Sequence, residues 1–130
     1  MAERESESER EGRVVVERAR GDFTTLLANC EISVSQAGYN TLMELAQSGA
    51  RAVVVPFAGG HESEQTLRAH CFAERGLLEI VPESALAPAT LAAAIDRAAR
   101  RPRPAPGEID LQGARRSASL IARWAMERAA

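Results

Sequence analysis

Apolar and polar positions along the chain follow two patterns in turn, one typical of strands and one typical of helices. The clearest strand is RAVVVPF, residues 51–57, a continuous β-branched run bounded by Gly49 and Pro56. Such a run is typical of a strand that is buried on both faces of a parallel sheet. Other apolar runs predict further strands at Arg13–Ala19, Glu31–Ser35 and Leu77–Pro82.

Between these runs the apolar residues recur with the period of an α-helix. Asp22 and Pro88 are placed to begin two of the helices. Gly49 is placed to end another, because glycine favours the left-handed conformation of a helix C-cap. Helices are therefore predicted, in chain order, at Asp22–Cys30, Asn40–Ser48, Ser63–Gly76, Ala87–Arg101 and about Asp110–Arg128.

Strands that alternate with helices at this spacing form βαβ units with right-handed crossovers. We therefore predict an α/β fold, a Rossmann-like three-layer αβα sandwich with a short parallel sheet of about four strands. The folded domain spans residues 13–101 and follows a charged, solvated lead-in at 1–12. A proline-rich linker at 102–109 leads to an amphipathic helix at 110–130. That helix is predicted to pack on the domain through an apolar stripe of Leu111, Ala114, Ala118, Ile121 and Ala125.

Composition narrows the function classes. Of the 130 residues, 45% are hydrophobic and 4% aromatic, and the formal net charge is −2 with the arginines spread along the chain. This balance argues against nucleic-acid binding. No apolar run approaches the roughly 18 residues of a membrane span, and no signal peptide is recognisable. Cys30 and Cys71 lie in apolar stretches without metal-ligand spacing, so we predict buried thiols, a reducing compartment and a cytoplasmic protein.

Candidate chemistry lies first at SQAGYNT, the joint between the second predicted strand and the next helix. A helix N-terminus offers unpaired N–H groups and the positive end of a dipole, which suit a phosphate. Gly38 has no β-carbon to obstruct close approach, and Thr41 adds a hydroxyl donor. Glu44 lies off the apolar stripe of its helix. Its carboxylate can accept two hydrogen bonds from a vicinal diol such as a ribose.

A second interpretation of the same joint requires no ligand. Thr41-Leu42-Met43-Glu44 fits the T-x-x-E capping box, in which both side chains satisfy the helix end. Gly38 is equally compatible with an ordinary turn. The residues alone leave both interpretations open.

A second candidate loop, FAGGHESEQ, follows the clearest strand and should lie at the same edge of the sheet. Gly59 and Gly60 provide a flexible turn, while Glu64 and Gln65 carry groups that suit sugar hydroxyls. The alternative is ordinary capping of the next helix by its own first residues. His61 has no second histidine or cysteine near it in sequence. It is therefore predicted to be a loop residue rather than a metal ligand or an acid–base group.

Together the two loops resemble a known family. The stretch Ser35–Ala69 carries, in order, S-x-x-G-x-x-T-x-x-E, then VPF, then a glycine-rich loop ending in E-Q. It is similar to the nucleotide-sugar-binding half of glycosyltransferase family 28. The similarity covers roughly Asp22–Arg100, and the order and spacing of all three parts make it more specific than any one motif.

The resemblance implies a function and a set of site residues. The family has the GT-B architecture, in which the second of two Rossmann-like domains holds the donor, here a UDP-sugar. The implied reaction is inverting transfer of a hexosyl group to an acceptor hydroxyl, without a metal or a cofactor. Arg20 lies near the base, in the weakest part of the match. The implied binding residues are Gly38, Tyr39, Asn40 and Thr41 for the diphosphate, Glu44 for the ribose, and Glu64 and Gln65, with Gly59, Gly60 and His61 in the same loop, for the sugar.

The chain departs from the family pattern in two ways. An acceptor domain and two further strands would precede Arg13, and no residue is a convincing general base, so no catalytic residue is assigned. The chain alone is predicted to be inactive, to need an N-terminal acceptor domain or partner subunit, and to be able to dimerise through an exposed sheet edge. Two other classes stay open. One is a nucleotide-sugar epimerase of the same architecture, and the other is a non-catalytic subunit that binds a nucleotide sugar or a partner protein.

Overall fold

The structure, a computed structural model, describes residues 14–59 and 63–129. Within them the chain forms three strands, five α-helices and one short 3-10 helix. In chain order these are α1 (Phe23–Asn29), β1 (Ser33–Ser35), α2 (Tyr39–Ser48), β2 (Ala52–Val54), α3 (Glu64–Glu74), β3 (Glu79–Ile80), the 3-10 helix Glu83–Ala85, α4 (Pro88–Arg100) and α5 (Gly113–Ala129). The predicted helices are confirmed, with some of their ends shifted.

The strands form one parallel sheet in the order β1-β2-β3. Val34 is paired with Val53, and Val54 is paired with Ile80. Helix α2 connects β1 to β2 and α3 connects β2 to β3, which makes two consecutive βαβ units. The Rossmann-like α/β fold is confirmed, and the loops that follow the strands begin at one edge of the sheet.

Helices cover both faces of the sheet, and β2 supplies a fully buried side chain to each face. Val54 packs among residues of α1, α2 and α3, whereas Val53 packs against α4. The larger of the two core clusters includes Leu27, Leu42, Leu45, Ala69 and Phe72, and the smaller includes Val81, Ala94 and Ala98. Because β2 is covered on both sides, the loop at its carboxyl end starts from a firmly held position.

The predicted first strand is wrong. Residues 14–20 form no strand, and Val15 and Val16 are 76% and 75% exposed. Strand propensity largely reflects packing against neighbouring strands, and no strand of the sheet lies beside this run. Within the described residues the sheet therefore has three strands rather than four, and β1 is an edge strand.

The proline-rich segment between α4 and α5 is held against the domain by hydrogen bonds. Arg103 Nη1 donates to the carbonyl oxygen of Cys30 (3.0 Å) and Nη2 to that of Ala28 (2.8 Å). Gly49 ends α2 with a left-handed φ of 66°. A β-carbon added to Gly49 would lie 2.7 Å from the carbonyl oxygen of Pro104. The segment thus closes over the C-terminal ends of α1 and α2.

Helix α5 differs from the prediction in its packing. It begins at Gly113 rather than near Asp110, and all of its residues are exposed. Ile121 and Trp124, for example, are 62% and 55% exposed. The apolar stripe therefore faces solvent, and the expected packing on the domain is not seen.

Two further sequence expectations concern the cysteines and the membrane. Cys71 is exposed and Cys30 is half-buried, so the prediction of two buried thiols is wrong. The thiol of Cys30 donates to the carbonyl oxygen of Leu27 at 3.3 Å, just past the end of α1. Among the described helices, none is long and apolar enough to cross a bilayer.

Candidate functional site

The N-terminus of α2 is not capped by its own side chains. Gly38 occupies the N-cap position, and no side chain there accepts a hydrogen bond from the helix. The first bond of the helix runs from the Leu42 amide to the Gly38 carbonyl oxygen (3.0 Å). The amides of Tyr39, Asn40 and Thr41 precede that bond, so the helix itself supplies them with no acceptor. This end of α2 therefore presents N–H donors and the positive end of the helix dipole.

The capping-box interpretation of Thr41 and Glu44 is wrong. A capping box needs its threonine at the N-cap and its glutamate three residues further on. The N-cap is Gly38, so Thr41 is the third residue of the helix and Glu44 the sixth. Within the described residues, neither side chain forms a hydrogen bond that caps the helix end.

Gly38 is not required by the fold either. Its φ of −61° and ψ of 149° are ordinary for any residue. A β-carbon there would meet Thr41 Oγ1 at 3.8 Å, which is an ordinary van der Waals contact. Neither conformation nor packing demands glycine, so the turn interpretation loses its physical reason.

Three residues before the N-cap of this helix lies a buried hydroxyl group without a partner among the described residues. Ser35 ends β1, and its Oγ has no hydrogen-bond partner among the described residues. Buried polar atoms are nearly always hydrogen-bonded, so an orphaned one requires an explanation. An open cleft at the carboxyl ends of the strands is lined by Val34, Ser35, Gln36, Val55, Pro56, Phe57, Glu83 and Leu86. Ser35 is the first residue of the S-x-x-G-x-x-T-x-x-E motif, which was its only signal in the sequence. Ser35 was not among the predicted binding residues.

The loop after β2 is pinned from two sides. The amide of Phe57 donates to Gln65 Oε1 (3.0 Å), and the amide of Ala58 donates to Glu83 Oε2 (3.1 Å). Because an amide N–H must face an acceptor, the oxygen of Gln65 points to the loop and its nitrogen is available as a donor. Glu83 was missed by the sequence reasoning, although its place just after the fourth predicted strand, Leu77–Pro82, could have indicated it.

Two of the predicted motifs are brought together by Arg68. Its guanidinium lies 5.0 Å from the centroid of the Tyr39 ring and forms an ion pair with Glu64. The ring belongs to the first turn of α2, and the carboxylate to the first turn of α3. Arg68 was not predicted, although the Glu64–Arg68 spacing of four on a helix was visible in the sequence.

The model of the glycosyltransferase family 28 C-terminal domain matches residues 13–120. The chain belongs to this family. Its curated relatives include enzymes named UDP-N-acetylglucosamine–N-acetylmuramyl-(pentapeptide) pyrophosphoryl-undecaprenol N-acetylglucosamine transferase. The one from Ralstonia nicotianae is 35% identical over 71 residues, which are 55% of this chain and 20% of the relative. The one from Syntrophotalea carbinolica is 34% identical over 83 residues, 63% of this chain and 23% of the relative.

The chain thus spans about a fifth of the length of these relatives. No solved structure matches the chain. The family resemblance drawn from the sequence is confirmed, and the matched region includes every element of the sheet.

The remaining residues predicted from the family 28 resemblance have different environments. Gly60 and His61 lie outside the described residues. A β-carbon at Gly59 would lie 2.3 Å from the outer end of the Phe57 ring, so a larger residue there would require that ring to move. Glu44 is half-buried on the second turn of α2 and Asn40 is exposed.

Arg20, which was predicted to lie near the nucleotide base, forms hydrogen bonds with two neighbouring residues in the sequence. Nε and Nη2 donate to the two carboxylate oxygens of Asp22 (2.8 and 2.7 Å), and Nη1 donates to Glu17 (3.0 Å). This hydrogen bonding holds the pKa of Asp22 below its ordinary value and raises the pKa of Arg20. Across residues 14–59 and 63–129, no group of three or more His, Cys, Asp or Glu side chains could hold a metal ion.

Proposed function

We propose that this domain binds the nucleotide-sugar donor of a hexosyl transfer, a UDP-sugar, with the diphosphate at the N-terminus of α2. The observation that carries the proposal is the uncapped helix end, preceded three residues earlier in the chain by the buried, unpaired hydroxyl of Ser35. A diphosphate there would accept hydrogen bonds from the amides of residues 39–41 and from the hydroxyls of Thr41 and Ser35. Gly38 gives it room without any cost to the fold.

The rest of the donor would extend from this anchor along α2 and towards α3. The carboxylate of Glu44 would accept two hydrogen bonds from the ribose diol. The side-chain nitrogen of Gln65 would donate to a sugar hydroxyl, since its oxygen already holds Phe57. Glu64 would accept from a second hydroxyl while its ion pair with Arg68 fixes the carboxylate.

In the proposed reaction an acceptor hydroxyl attacks the anomeric carbon, the configuration inverts and UDP leaves without help from a metal. Negative charge develops on the departing diphosphate, and donors already aimed at that position stabilise the transition state. The curated relatives are named for transfer of N-acetylglucosamine from UDP, so UDP-N-acetylglucosamine is the first donor to test. Positioning of an acceptor against the donor supplies much of such catalysis, so we expect the 130-residue chain to bind the donor weakly and not to transfer it.

A nested series of ligands tests the assignment, with amide chemical shifts as the readout. Inorganic diphosphate should shift the amide signals of residues 38–41. UDP should shift the Glu44 amide in addition, and UDP-N-acetylglucosamine should also shift the amide of Gln65. The matched variants are Ser35→Ala and Ser33→Ala, on the same strand and the same face. Ser35→Ala should lower the affinity for every ligand in the series, and Ser33→Ala should lower the affinity for none of them. Shifts that spare residues 38–41, or equal effects of the two variants, would refute the proposal.

A further inference from the structure

Two side chains from different elements hold consecutive amides of the loop after β2. Gln65 Oε1 accepts from the Phe57 amide (3.0 Å), and Glu83 Oε2 accepts from the Ala58 amide (3.1 Å). Gln65 lies in the first turn of α3, whereas Glu83 is the first residue of the 3-10 helix after β3. The path of the loop is therefore set from two neighbouring elements, just before its glycines begin.

Glu83 itself lies on a firmly held part of the chain. Val81 is buried and its amide donates to the carbonyl oxygen of Val54 (3.0 Å), which fixes the chain two residues before Glu83. On the other side, Thr90 Oγ1 in the first turn of α4 donates to the carbonyl oxygen of Ala85 (2.6 Å). A side chain whose backbone is supported in this way can place a hydrogen-bond partner accurately.

The loop in turn decides which way the Gln65 amide faces. A side-chain amide can present its oxygen or its nitrogen, and only the oxygen can accept from the Phe57 N–H. Before Phe57 the chain is fixed by Pro56, which is buried and restricted by its ring. The glycines that follow Ala58 restrict the backbone little, so the bond from the Ala58 amide to Glu83 supplies the hold on that side.

We propose that Glu83 is a positioning residue for the sugar of the donor, and that it acts on Gln65 through the loop after β2. By holding the Ala58 amide, Glu83 keeps the Phe57 N–H against the Gln65 oxygen, and the Gln65 nitrogen stays available to a sugar hydroxyl. Glu83 and Phe57 line the same cleft as Ser35, so the loop forms a wall of that cleft. The inference rests on the donor site proposed above.

Two variants at one position separate the hydrogen bond from the charge. Glu83→Gln keeps an oxygen that can accept from the Ala58 amide, whereas Glu83→Ala keeps none, and both remove the negative charge. Glu83 is exposed, so both variants should fold. Without ligand, the Ala58 amide should exchange with solvent about three- to tenfold faster in Glu83→Ala than in Glu83→Gln. The NMR signals of the Gln65 side-chain amide should shift in Glu83→Ala and stay near their parental positions in Glu83→Gln.

The second measurement is the gain in affinity from UDP to UDP-N-acetylglucosamine, obtained by titration of each protein. This ratio isolates the sugar, because effects on the diphosphate and the ribose cancel. Glu83→Ala should lower the ratio by about three- to tenfold, and Glu83→Gln should restore most of it. The two variants should bind UDP equally. Ser84→Ala, an exposed neighbour on the same 3-10 helix, is the matched control and should leave the ratio unchanged.

The outcomes distinguish this inference from the donor site on which it rests. If UDP shifts none of the amides of residues 38–41, the donor site and the inference fail together. If UDP binds there but Glu83→Ala and Glu83→Gln give equal ratios, the inference alone is overturned. It is also overturned if Ser84→Ala lowers the ratio as much as Glu83→Ala, or if the Gln65 side-chain signals are the same in every variant.

Discussion

The guanidinium of Arg68 stacks on the ring of Tyr39 at 5.0 Å from its centroid, so the first residue of α2 is tied to the second turn of α3. The ion pair of Arg68 with Glu64 extends the connection to the first turn of α3. The two helix ends proposed to hold the diphosphate and the sugar are therefore linked through one side chain. A change at Arg68 should be felt at both.

A double-mutant cycle on this pair should give a coupling free energy of about 0.5–1 kcal/mol, the range expected for a cation over an aromatic ring near the surface. The variants are Tyr39→Leu and Arg68→Met, alone and together, with stability measured by urea denaturation. Arg75→Met, an exposed arginine at the end of the same helix, serves as the control and should show no coupling to Tyr39→Leu. Strict additivity of the Tyr39 and Arg68 effects would contradict the prediction.

The glycines at the two ends of α2 should respond differently to alanine. Gly38→Ala should preserve the fold and change the stability by less than about 1 kcal/mol, because an ordinary φ is retained and the loss of freedom in the unfolded chain offsets the poorer N-cap preference of alanine. Gly49→Ala should destabilise the fold by about 2 kcal/mol or more, since φ is left-handed and the β-carbon meets the Pro104 carbonyl oxygen. Thermal unfolding of the two variants measures both effects.

The same glycine pair separates folding from binding. Gly38→Ala should lower the affinity for UDP by about tenfold or more, equivalent to about 1.4 kcal/mol, because it places a β-carbon against the diphosphate. A Gly38→Ala protein that folds well and binds UDP as tightly as the parent would remove the reason for placing the diphosphate there.

Glu44→Ala should reduce the affinity for UDP by about ten- to a hundred-fold, the loss expected when a charge-assisted hydrogen bond of about 1.5–3 kcal/mol is removed. It should leave the affinity for inorganic diphosphate unchanged, because the proposed contact is with the ribose. Gln47→Ala, an exposed neighbour on the same helix, is the control for effects on α2 itself. Isothermal titration with both ligands gives the comparison, and equal losses for the two ligands would argue against a ribose contact.

The cluster around Arg20 makes a prediction about pH. Because the pKa of Asp22 is lowered by its bonds to Arg20, the pair contributes to stability above the pKa of the unfolded carboxyl. That contribution is lost as pH falls through the lower pKa of the folded state, and it is small because the groups are exposed. A pH titration followed by NMR of the Asp22 carboxyl carbon should give a midpoint below the ordinary pKa of 3.8. Arg20→Gln should return it towards that value, whereas the nearby Arg18→Gln should not.

The sequence was informative where local patterns decide the structure. The β-branched run of β2, the glycine that ends α2 and the proline that begins α4 each act through their own backbone or immediate neighbours, and all are found as predicted. The run Val14–Val16 shows the limit of this reasoning. Its residues have strand propensity, but a strand also needs a partner, and pairing is not a local property.

The candidate site divides in the same way. The motif located the N-terminus of α2, but the sequence could not separate a capping box from an open end. That distinction rests on where the helix begins, which was predicted at Asn40 and is found at Tyr39, with Gly38 as its N-cap. The buried hydroxyl of Ser35 and the orientation of Gln65 depend on contacts between elements distant in the chain, so periodicity carried no signal for either.

The closure of Pro104 over Gly49 has a consequence for the opposite end of α2. The C-terminal end of the helix is held by the proline-rich segment and by the Ser48 hydroxyl, which donates to Leu45 O and accepts from Ala50 N. Because its C-terminal end is fixed and one face is buried through Leu42 and Leu45, α2 is preorganised before any ligand arrives. A diphosphate that binds at its N-terminus would meet amides already in place, so little conformational entropy would be lost on binding.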